Sequence, residues 1–150
     1  MELQKKPAPE HTRYAALMHR CAGLKPAVTA VVHPCDAPSL TAAVEAAREK
    51  LIVPVLVGPE AKIRGAAEAA RLDISAFRLL STPHSHAAAE QAVRLAATGE
   101  VEALMKGSLH TDELMHEVVK PASGLSTGRR ISHVYLFDVP DYPRALLITE

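Results

Sequence analysis

Short apolar runs alternate with segments of helical periodicity along most of the chain, and this alternation constrains the fold more than any other feature. Four apolar runs are each followed, after a short joint, by a helical segment. Parallel strands need such crossover connections, so the alternation predicts a parallel sheet. The runs are apolar throughout rather than at alternate positions, which is typical of strands covered on both faces. We therefore predict an α/β fold, a doubly wound and mostly parallel sheet. The predicted strands are Ala27–His33, Val53–Gly58, Phe77–Ser81 and Val101–Lys106.

Helix boundaries are indicated by residues that favour the ends of helices. Asp36 or Ser39 is expected near the start of the second helix, Ser85 is expected to cap the fourth, and Gly99 to end it. Two late apolar segments are predicted to be strands joined by a proline-rich connection. The predicted helices are Thr12–Ala22, Leu40–Lys50, Glu60–Leu72, Ser85–Gly99 and Thr111–Lys120, and the late strands are Ser132–Val139 and Arg144–Glu150.

Composition excludes several classes of protein. At 150 residues and 48% hydrophobic content, the chain can bury a core as one domain or as half of a larger protein. The 17 basic and 17 acidic residues balance, which gives no reason to expect nucleic acid or an anionic membrane as a partner. No run approaches the length of a membrane span, and the start lacks the apolar core of a secretory signal. The sequence predicts a cytoplasmic protein in which Cys21 and Cys35 are free thiols.

The joint after the fourth strand combines a cation, a glycine and two hydroxyl groups. Gly107 permits either a positive φ or a close backbone approach, and Thr111 is a plausible N-cap. Backbone N–H groups at the joint, together with Lys106, Ser108 and Thr111, are able to bind an anion. The alternative is a turn, a helix cap and a solvated lysine. The two acidic residues after Thr111 would compete with an anion, so the local pattern alone favours this alternative.

A second candidate anion site is the segment Thr127–His133, which follows a long loop and leads into a late strand. Its adjacent arginines, Arg129 and Arg130, could clamp a phosphate in bidentate fashion. The alternative is a solvated loop with a basic pair on the surface, and the segment alone does not decide between the two.

The segment His33–Ser39 lies at the end of the first strand, on the side where a doubly wound sheet binds ligands. His33, Cys35 and Asp36 suggest a metal site or a thiol nucleophile. Zinc is disfavoured because the chain has no set of spaced cysteines, and a nucleophile would need a base that the sequence does not identify. A turn with a helix cap is the preferred interpretation, and no metal site is predicted. The histidines at positions 84 and 86 are interpreted as surface or capping residues.

Taken together, these segments resemble the amino-terminal half of the phosphate acetyl/butyryltransferase family. The resemblance extends from about Tyr14 onward and depends above all on "KGSLHTDELM" and "RRISHV". The likeness is strongest to the transferase part of bifunctional enoyl-CoA hydratase/phosphate acetyltransferases. It implies the first domain of a two-domain fold similar to that of isocitrate and isopropylmalate dehydrogenases. Residues 1–13 would then be a polar leader, and residues 14–150 the amino-terminal part of a transferase domain whose carboxyl-terminal half is missing.

The function that the resemblance implies is transfer of an acyl group, acetyl or butyryl, between acyl phosphate and coenzyme A. Coenzyme A is a substrate, and no metal or other cofactor is required. Such a reaction needs hydrogen-bond donors for an oxyanion and cations for the departing phosphate. A homodimer is a reasonable expectation for the family. The candidate substrate-binding residues are Lys106, Gly107, Ser108, Thr111, Arg129 and Arg130, and the general base is not identified.

The chain also departs from the family pattern. In the family, the residues that assist thiol deprotonation come from a second domain that this sequence lacks. Members that act on acetyl phosphate often carry an arginine early in the helix after the joint, where this chain has Leu114, Met115 and His116. Acyl-chain preference is therefore left open. The alternative function is a truncated, non-catalytic or regulatory half-domain; a dehydrogenase of the isopropylmalate type lacks a metal-binding carboxylate cluster in this sequence.

Overall fold

The computed structural model describes residues 12–140 and 142–149, and the chain divides into two compact units. The sheet unit comprises Lys25–Gly128. The ribbon unit comprises Met1–Leu24 and Arg129–Glu150 and contains helix α1 (Thr12–Cys21). Residues 1–11 of the predicted polar leader lie outside the described residues. The predicted segment 14–150 therefore includes parts of both units.

The sheet unit is built on four parallel strands, as the alternating pattern predicted. The strands are β1 (Ala27–Val32), β2 (Ile52–Gly58), β3 (Arg78–Ser81) and β4 (Ala103–Lys106). Their order across the sheet is β3-β2-β1-β4. The chain thus moves outward from β1 to β3 and then returns to the other side of β1 for β4. This reversal creates a topological switch point between the carboxyl ends of β1 and β4, which is where open α/β sheets bind ligands.

Asp36 ends the turn after β1 and caps the next helix, as expected. Its Oδ1 accepts a hydrogen bond of 2.9 Å from the backbone N–H of Ser39. This bond satisfies one of the backbone donors that a helix start leaves unpaired. The helices of the sheet unit are α2 (Ala37–Arg48), α3 (Glu60–Ala69), α4 (Ser85–Ala97) and α5 (Thr111–Val119), and a short 3-10 helix follows at Pro121–Ser123.

Two predicted helix caps are wrong by one residue. Ser85 and Thr111 are the first helical residues of α4 and α5, and the N-cap positions belong to His84 and His110. At α4 the ring of His84 performs the capping function, because its Nδ1 accepts a hydrogen bond of 3.2 Å from the N–H of Ala87. Hydroxyl side chains are much commoner caps than imidazoles, which explains why the sequence pattern pointed one residue too far along.

Helices cover both faces of the sheet, which confirms the predicted double winding. Val31 of β1 and Leu56 of β2 pack in one buried cluster with α2 and α3. The neighbouring residues of β1, Ala30 and Val32, pack in a second buried cluster with α4 and α5. Successive side chains of a strand point to opposite faces, so an unbroken apolar run supplies both clusters.

The ribbon unit contains the two late strands, β5 (Val134–Phe137) and β6 (Leu146–Thr149). They pair antiparallel with each other and form a sheet separate from β1–β4. Most of their apolar side chains are exposed. Asp138, directly after β5, accepts hydrogen bonds from the Arg13 guanidinium at 2.8 Å and from the N–H of Tyr14 at 3.0 Å. This carboxylate therefore joins the start of α1 to the end of β5.

Three further observations concern the cysteines, metal sites and membrane-spanning helices. Cys21 and Cys35 are free thiols. Within residues 12–140 and 142–149, no group of three or more histidine, cysteine, aspartate or glutamate residues is arranged to hold a metal ion. In the same part of the chain, no helix is both long enough and apolar enough to cross a membrane.

Leu56→Ala tests the importance of the core in the sheet unit. Leu56 is fully buried in the α2–α3 cluster, so the substitution should lower the free energy of unfolding by about 2–5 kcal/mol. Urea unfolding followed by circular dichroism measures the change. Leu24→Ala is the matched control: Leu24 is 68% exposed, and its loss should change stability by no more than about 0.5 kcal/mol. Equal effects of the two substitutions would contradict the position of the core.

Candidate functional site

His33 is the first residue beyond β1 and has an unusual backbone conformation. Its φ is 54°, in the left-handed region, although proline follows it and normally restricts the preceding residue to extended conformations. A non-glycine residue held there costs about 1–3 kcal/mol. The His33 N–H nevertheless donates a hydrogen bond of 2.7 Å to the carbonyl of Val57 on β2. The surrounding structure must therefore hold the residue in place.

The His33 carbonyl is the acceptor that joins the ends of β1 and β4. It accepts hydrogen bonds from the N–H of Cys35 at 2.9 Å, the N–H of Ser108 at 2.9 Å and the hydroxyl of Ser108 at 2.8 Å. The Ser108 Oγ in turn accepts from the N–H of Cys35 at 3.1 Å. One residue earlier, the N–H of Gly107 donates to the carbonyl of Val32 at 2.9 Å. We call these five residues the β1–β4 clamp.

Gly107 is needed for a close approach of two backbones, which was one of the two roles that the sequence left open. Its φ is not positive. A Cβ at this position would lie 2.5 Å from the carbonyl oxygen of Val32 and 2.8 Å from that of His33. Backbone atoms cannot move aside cheaply, so only glycine fits between the strand ends.

The predicted anion cradle of backbone N–H groups is corrected at two positions. The N–H groups of Gly107 and Ser108 donate to carbonyl oxygens at the end of β1. The hydroxyl hydrogen of Ser108 does the same. These donors are occupied within the fold, so an anion at this point would have to be bound by side chains.

Lys106 remains a candidate for such binding. Its ammonium donates hydrogen bonds to the carbonyls of Leu109 at 2.7 Å and Gly107 at 3.3 Å. An ammonium has three hydrogens, so one remains available to a ligand. The two carbonyls hold the charge at the switch point rather than leaving it on a mobile chain. Hydrogen bonds from Ser39 lower the pKa of the nearby Asp36 carboxyl, and the charges of Lys106 and His33 lower it further.

Cys35 is a half-buried thiol within the clamp. Burial raises its pKa, and the charge of Lys62 opposes that effect only in part. A thiol with a raised pKa is mostly protonated at neutral pH and is therefore a weak nucleophile. The structure gives no support to the sequence hypothesis of a cysteine nucleophile at this position.

The start of α5 carries its own carboxylate. Glu113 accepts hydrogen bonds from the N–H of His110 at 3.0 Å and from the hydroxyl of Ser85 at 3.0 Å, and the ring of His86 lies 3.1 Å from it. The hydrogen bond from His110 is the main cause of its lowered pKa. The carboxylate that the sequence expected to compete with an anion therefore lies at the start of α5. Thr111, beside this carboxylate, is exposed.

The predicted substrate-binding residues divide between the two units. Lys106, Gly107 and Ser108 lie at the switch point, and Thr111 begins the helix that follows. Arg129 and Arg130 belong to the ribbon unit, where both are exposed. The sequence placed His33 at the end of the first predicted strand and suggested a metal or nucleophile site there, but it did not indicate a contact with Ser108. The position of His33 beside Ser108 depends on the strand order β2-β1-β4, which no local pattern reveals.

Two grooves lie elsewhere on the sheet unit. One, of about 380 Å³, is lined by α4, α5 and the short 3-10 helix; Glu117 within it is paired with Lys120 at 2.6 Å. The other, of about 290 Å³, lies at the carboxyl end of β3 beside α4. Neither is lined by His33 or Lys106. The candidate site is therefore identified by topology and hydrogen bonding rather than by cavity size.

Comparison with known proteins finds homologues over most of the chain. The chain is 54% identical over 139 residues to a phosphate acetyltransferase of Rhizobium meliloti. This alignment covers 93% of the chain and 44% of the relative. It is 49% identical over 134 residues to a phosphate acetyltransferase of Rickettsia felis, and that alignment covers 89% of the chain and 38% of the relative. A phosphate butyryltransferase of Clostridium beijerinckii is 33% identical over 115 residues, and that alignment covers 77% of the chain and 38% of the relative. The chain is a homologue of these phosphate acetyl- and butyryltransferases. It spans less than half the length of each, and no protein-family model matches it.

Solved structures of transferases related in fold agree with the architecture. A branched-chain phosphotransacylase from Enterococcus faecalis superposes with a TM-score of 0.64 at 21% identity, covering 82% of this chain and 42% of that one. A phosphotransacetylase from Staphylococcus aureus gives a TM-score of 0.66 at 14% identity, and the superposition covers 93% of this chain and 50% of that one. At these identities the likeness establishes the α/β fold alone.

Gly107→Ala tests the close approach in the β1–β4 clamp. The added methyl group would lie against backbone carbonyls, so the substitution should destabilise the protein by about 1–3 kcal/mol, as overpacking does. Thermal and urea unfolding measure the loss. Gly65→Ala is the control: Gly65 lies inside α3 with nothing within 4 Å of a Cβ, and alanine there should stabilise by about 0.5–1 kcal/mol. The same sign for both substitutions would be inconsistent with the clamp.

Glu113→Gln tests the carboxylate at the start of α5. Because the folded-state pKa of Glu113 is lowered, its charge stabilises the fold above the unfolded-state pKa of about 4.3. That stabilisation is lost as the pH falls through the folded-state value. The difference in Tm between wild type and variant should be largest near neutrality and should close toward about pH 3. Asp112→Asn, in the same turn, is the control. A difference that stays constant with pH would show that charge is not involved.

Proposed function

We propose that this chain is the amino-terminal part of a phosphate acyltransferase that moves an acetyl or butyryl group between acyl phosphate and coenzyme A. The homology to phosphate acetyltransferases over most of the chain is the observation that carries the proposal. The position of Lys106 and Ser108 at the topological switch point supports it, because ligands of doubly wound sheets bind there.

The reaction places specific demands on such a site. The thiol of coenzyme A adds to the acyl carbonyl, and the bond from the acyl carbon to the phosphate oxygen breaks. Negative charge gathers on the departing phosphate, so cations placed beside it lower the barrier. In our proposal Lys106 supplies one cation and Thr111 supplies a hydroxyl group. Ser108, whose hydroxyl hydrogen is donated to the His33 carbonyl, and Gly107, which permits close packing, hold the joint in position. Arg129 and Arg130, in the ribbon unit, stay proposed phosphate ligands because two adjacent guanidinium groups can bind a phosphate in bidentate fashion.

The rest of the proposed site belongs to a larger protein. The relatives are more than twice as long as the matched segment, and we propose that residues 14–150 are the first part of a two-domain fold of the isocitrate/isopropylmalate dehydrogenase type. The second domain would provide much of the coenzyme A surface and the group that deprotonates the thiol. A homodimer in the cytoplasm is part of the same proposal. The special likeness to bifunctional hydratase/transferases stays a prediction.

The experiment that tests the function is an assay of the full-length protein with coenzyme A and either acetyl or butyryl phosphate. Formation of the thioester is followed by its absorbance, and binding of each substrate by calorimetry. Turnover with either acyl phosphate supports the proposal and ranks the two acyl groups. Binding without turnover, or neither binding nor turnover, would reject the transferase and favour the non-catalytic half-domain.

Lys106→Gln tests the proposed phosphate contact. Glutamine keeps donors for the two carbonyls but removes the charge, so the KM for acyl phosphate should rise about 10- to 100-fold, as expected for the loss of a charge-assisted hydrogen bond. The KM for coenzyme A should change little. Lys50→Gln is the matched control, because Lys50 precedes β2 and lies at the opposite, amino-terminal edge of the sheet. An unchanged KM for acyl phosphate in Lys106→Gln would remove Lys106 from the site.

A further inference from the structure

The clamp determines which nitrogen of the His33 ring carries a hydrogen. Nδ1 lies 3.3 Å from the carbonyl oxygen of Ser108, and a carbonyl can only accept. Nδ1 is also 3.4 Å from the Ser108 Oγ, whose own hydrogen is donated to the His33 carbonyl. Both contacts therefore require a hydrogen on Nδ1. Nε2 is then the nitrogen at which the ring gains or loses a proton.

Nε2 has no role within the fold itself. Among the hydrogen bonds of the described residues, none involves His33 Nε2. The charged and titratable groups around this point are Lys106 at the end of β4, Asp36 and Cys35 after β1, and Lys62 on α3, which acts on Cys35. Ser39 donates hydrogen bonds to the carboxylate of Asp36 from both its N–H and its hydroxyl group. Within the described residues, the half-buried ring thus has one nitrogen, Nε2, without a hydrogen-bond partner.

The proposed reaction requires a proton at this place. An acyl phosphate dianion that lost its acyl group without protonation would release a phosphate trianion, a poor leaving group. A proton delivered to the bridging oxygen as the carbon–oxygen bond breaks releases hydrogen phosphate instead. General acids of this kind act at hydrogen-bond distance from the atom that they protonate, and histidine is the most frequent.

We propose that His33 is this general acid, an inference that rests on the proposed function. The acyl carbon–oxygen bond breaks, its electron pair passes to the phosphate oxygen, and that oxygen takes the proton from Nε2. Hydrogen phosphate departs and His33 is left neutral. In the reverse direction, neutral Nε2 takes the proton from hydrogen phosphate as it attacks the thioester. The thiol proton and the phosphate proton balance, so no other reactant is needed.

The backbone of His33 agrees with this role. Its left-handed φ is strained, and four hydrogen bonds hold it: one from its N–H and three to its carbonyl. Strained backbone of this kind is concentrated at functional sites, where the surrounding structure fixes a reacting group.

His33→Asn in the full-length protein separates proton transfer from positioning. Asparagine tolerates a positive φ, and its side-chain NH₂ can replace Nδ1–H as the donor to Ser108, but it cannot transfer a proton. Turnover of acyl phosphate should fall about 100-fold, with its KM changed by less than about threefold. His84→Asn, which keeps the cap of α4, is the control and should behave as wild type.

Two measurements guard against a merely structural effect. Nitrogen NMR of the wild-type ring should show the hydrogen on Nδ1 and a response of Nε2 to added inorganic phosphate. Calorimetry should show that His33→Asn still binds inorganic phosphate. Unchanged turnover in His33→Asn, a hydrogen on Nε2 instead, or loss of phosphate binding parallel to the loss of turnover would each overturn the inference. A wild-type protein without transferase activity would instead refute the proposed function, and this inference with it.

Discussion

The carbonyl oxygen of His33 accepts three hydrogen bonds, and the geometry of the whole candidate site depends on it. These bonds bring the joint after β4 against the end of β1, and the N–H of the same residue binds β2. Each is worth about 0.5–1.5 kcal/mol net, so four of them together offset the 1–3 kcal/mol of strain in a left-handed histidine. Replacing either Gly107 or Ser108 would therefore disturb the position of the His33 ring as well as the joint itself.

Much of the fold was predictable because its signals are local. Unbroken apolar runs in β1 and β2 indicate strands that face two cores, and Asp36 with Pro38 marks the start of a helix by ordinary capping chemistry. Long-range order was not predictable in this way. Nothing near β4 indicates that it pairs with β1 rather than with β3, and the antiparallel pairing of β5 with β6 in a separate sheet has no signature in either segment.

The sequence indicated where Lys106 and Ser108 lie in the fold but not how the groups around them are bonded. The position of Lys106 and Ser108 after an apolar run indicated the carboxyl edge of the sheet, where ligands bind. The structure adds that the N–H groups of Gly107 and Ser108 are occupied by β1. It also shows that His33 adopts a conformation that a residue before proline normally avoids. Both facts depend on contacts between segments more than seventy residues apart. The local sequence around either segment therefore could not predict them.

The order of the strands has one more consequence. The chain leaves β1 toward the α2–α3 layer and leaves β4 toward the opposite α4–α5 layer. The loop after β1 and the loop after β4 meet at the carboxyl edge of the sheet, but each leads into helices on a different face of the sheet. Pro34 and Leu109 anchor these loops because both are buried, whereas an exposed loop residue outside the clamp can be exchanged without a cavity arising under either layer of helices. Gene duplication can exploit this independence, because a descendant is free to acquire new substrate preferences while inheriting an interior that already folds.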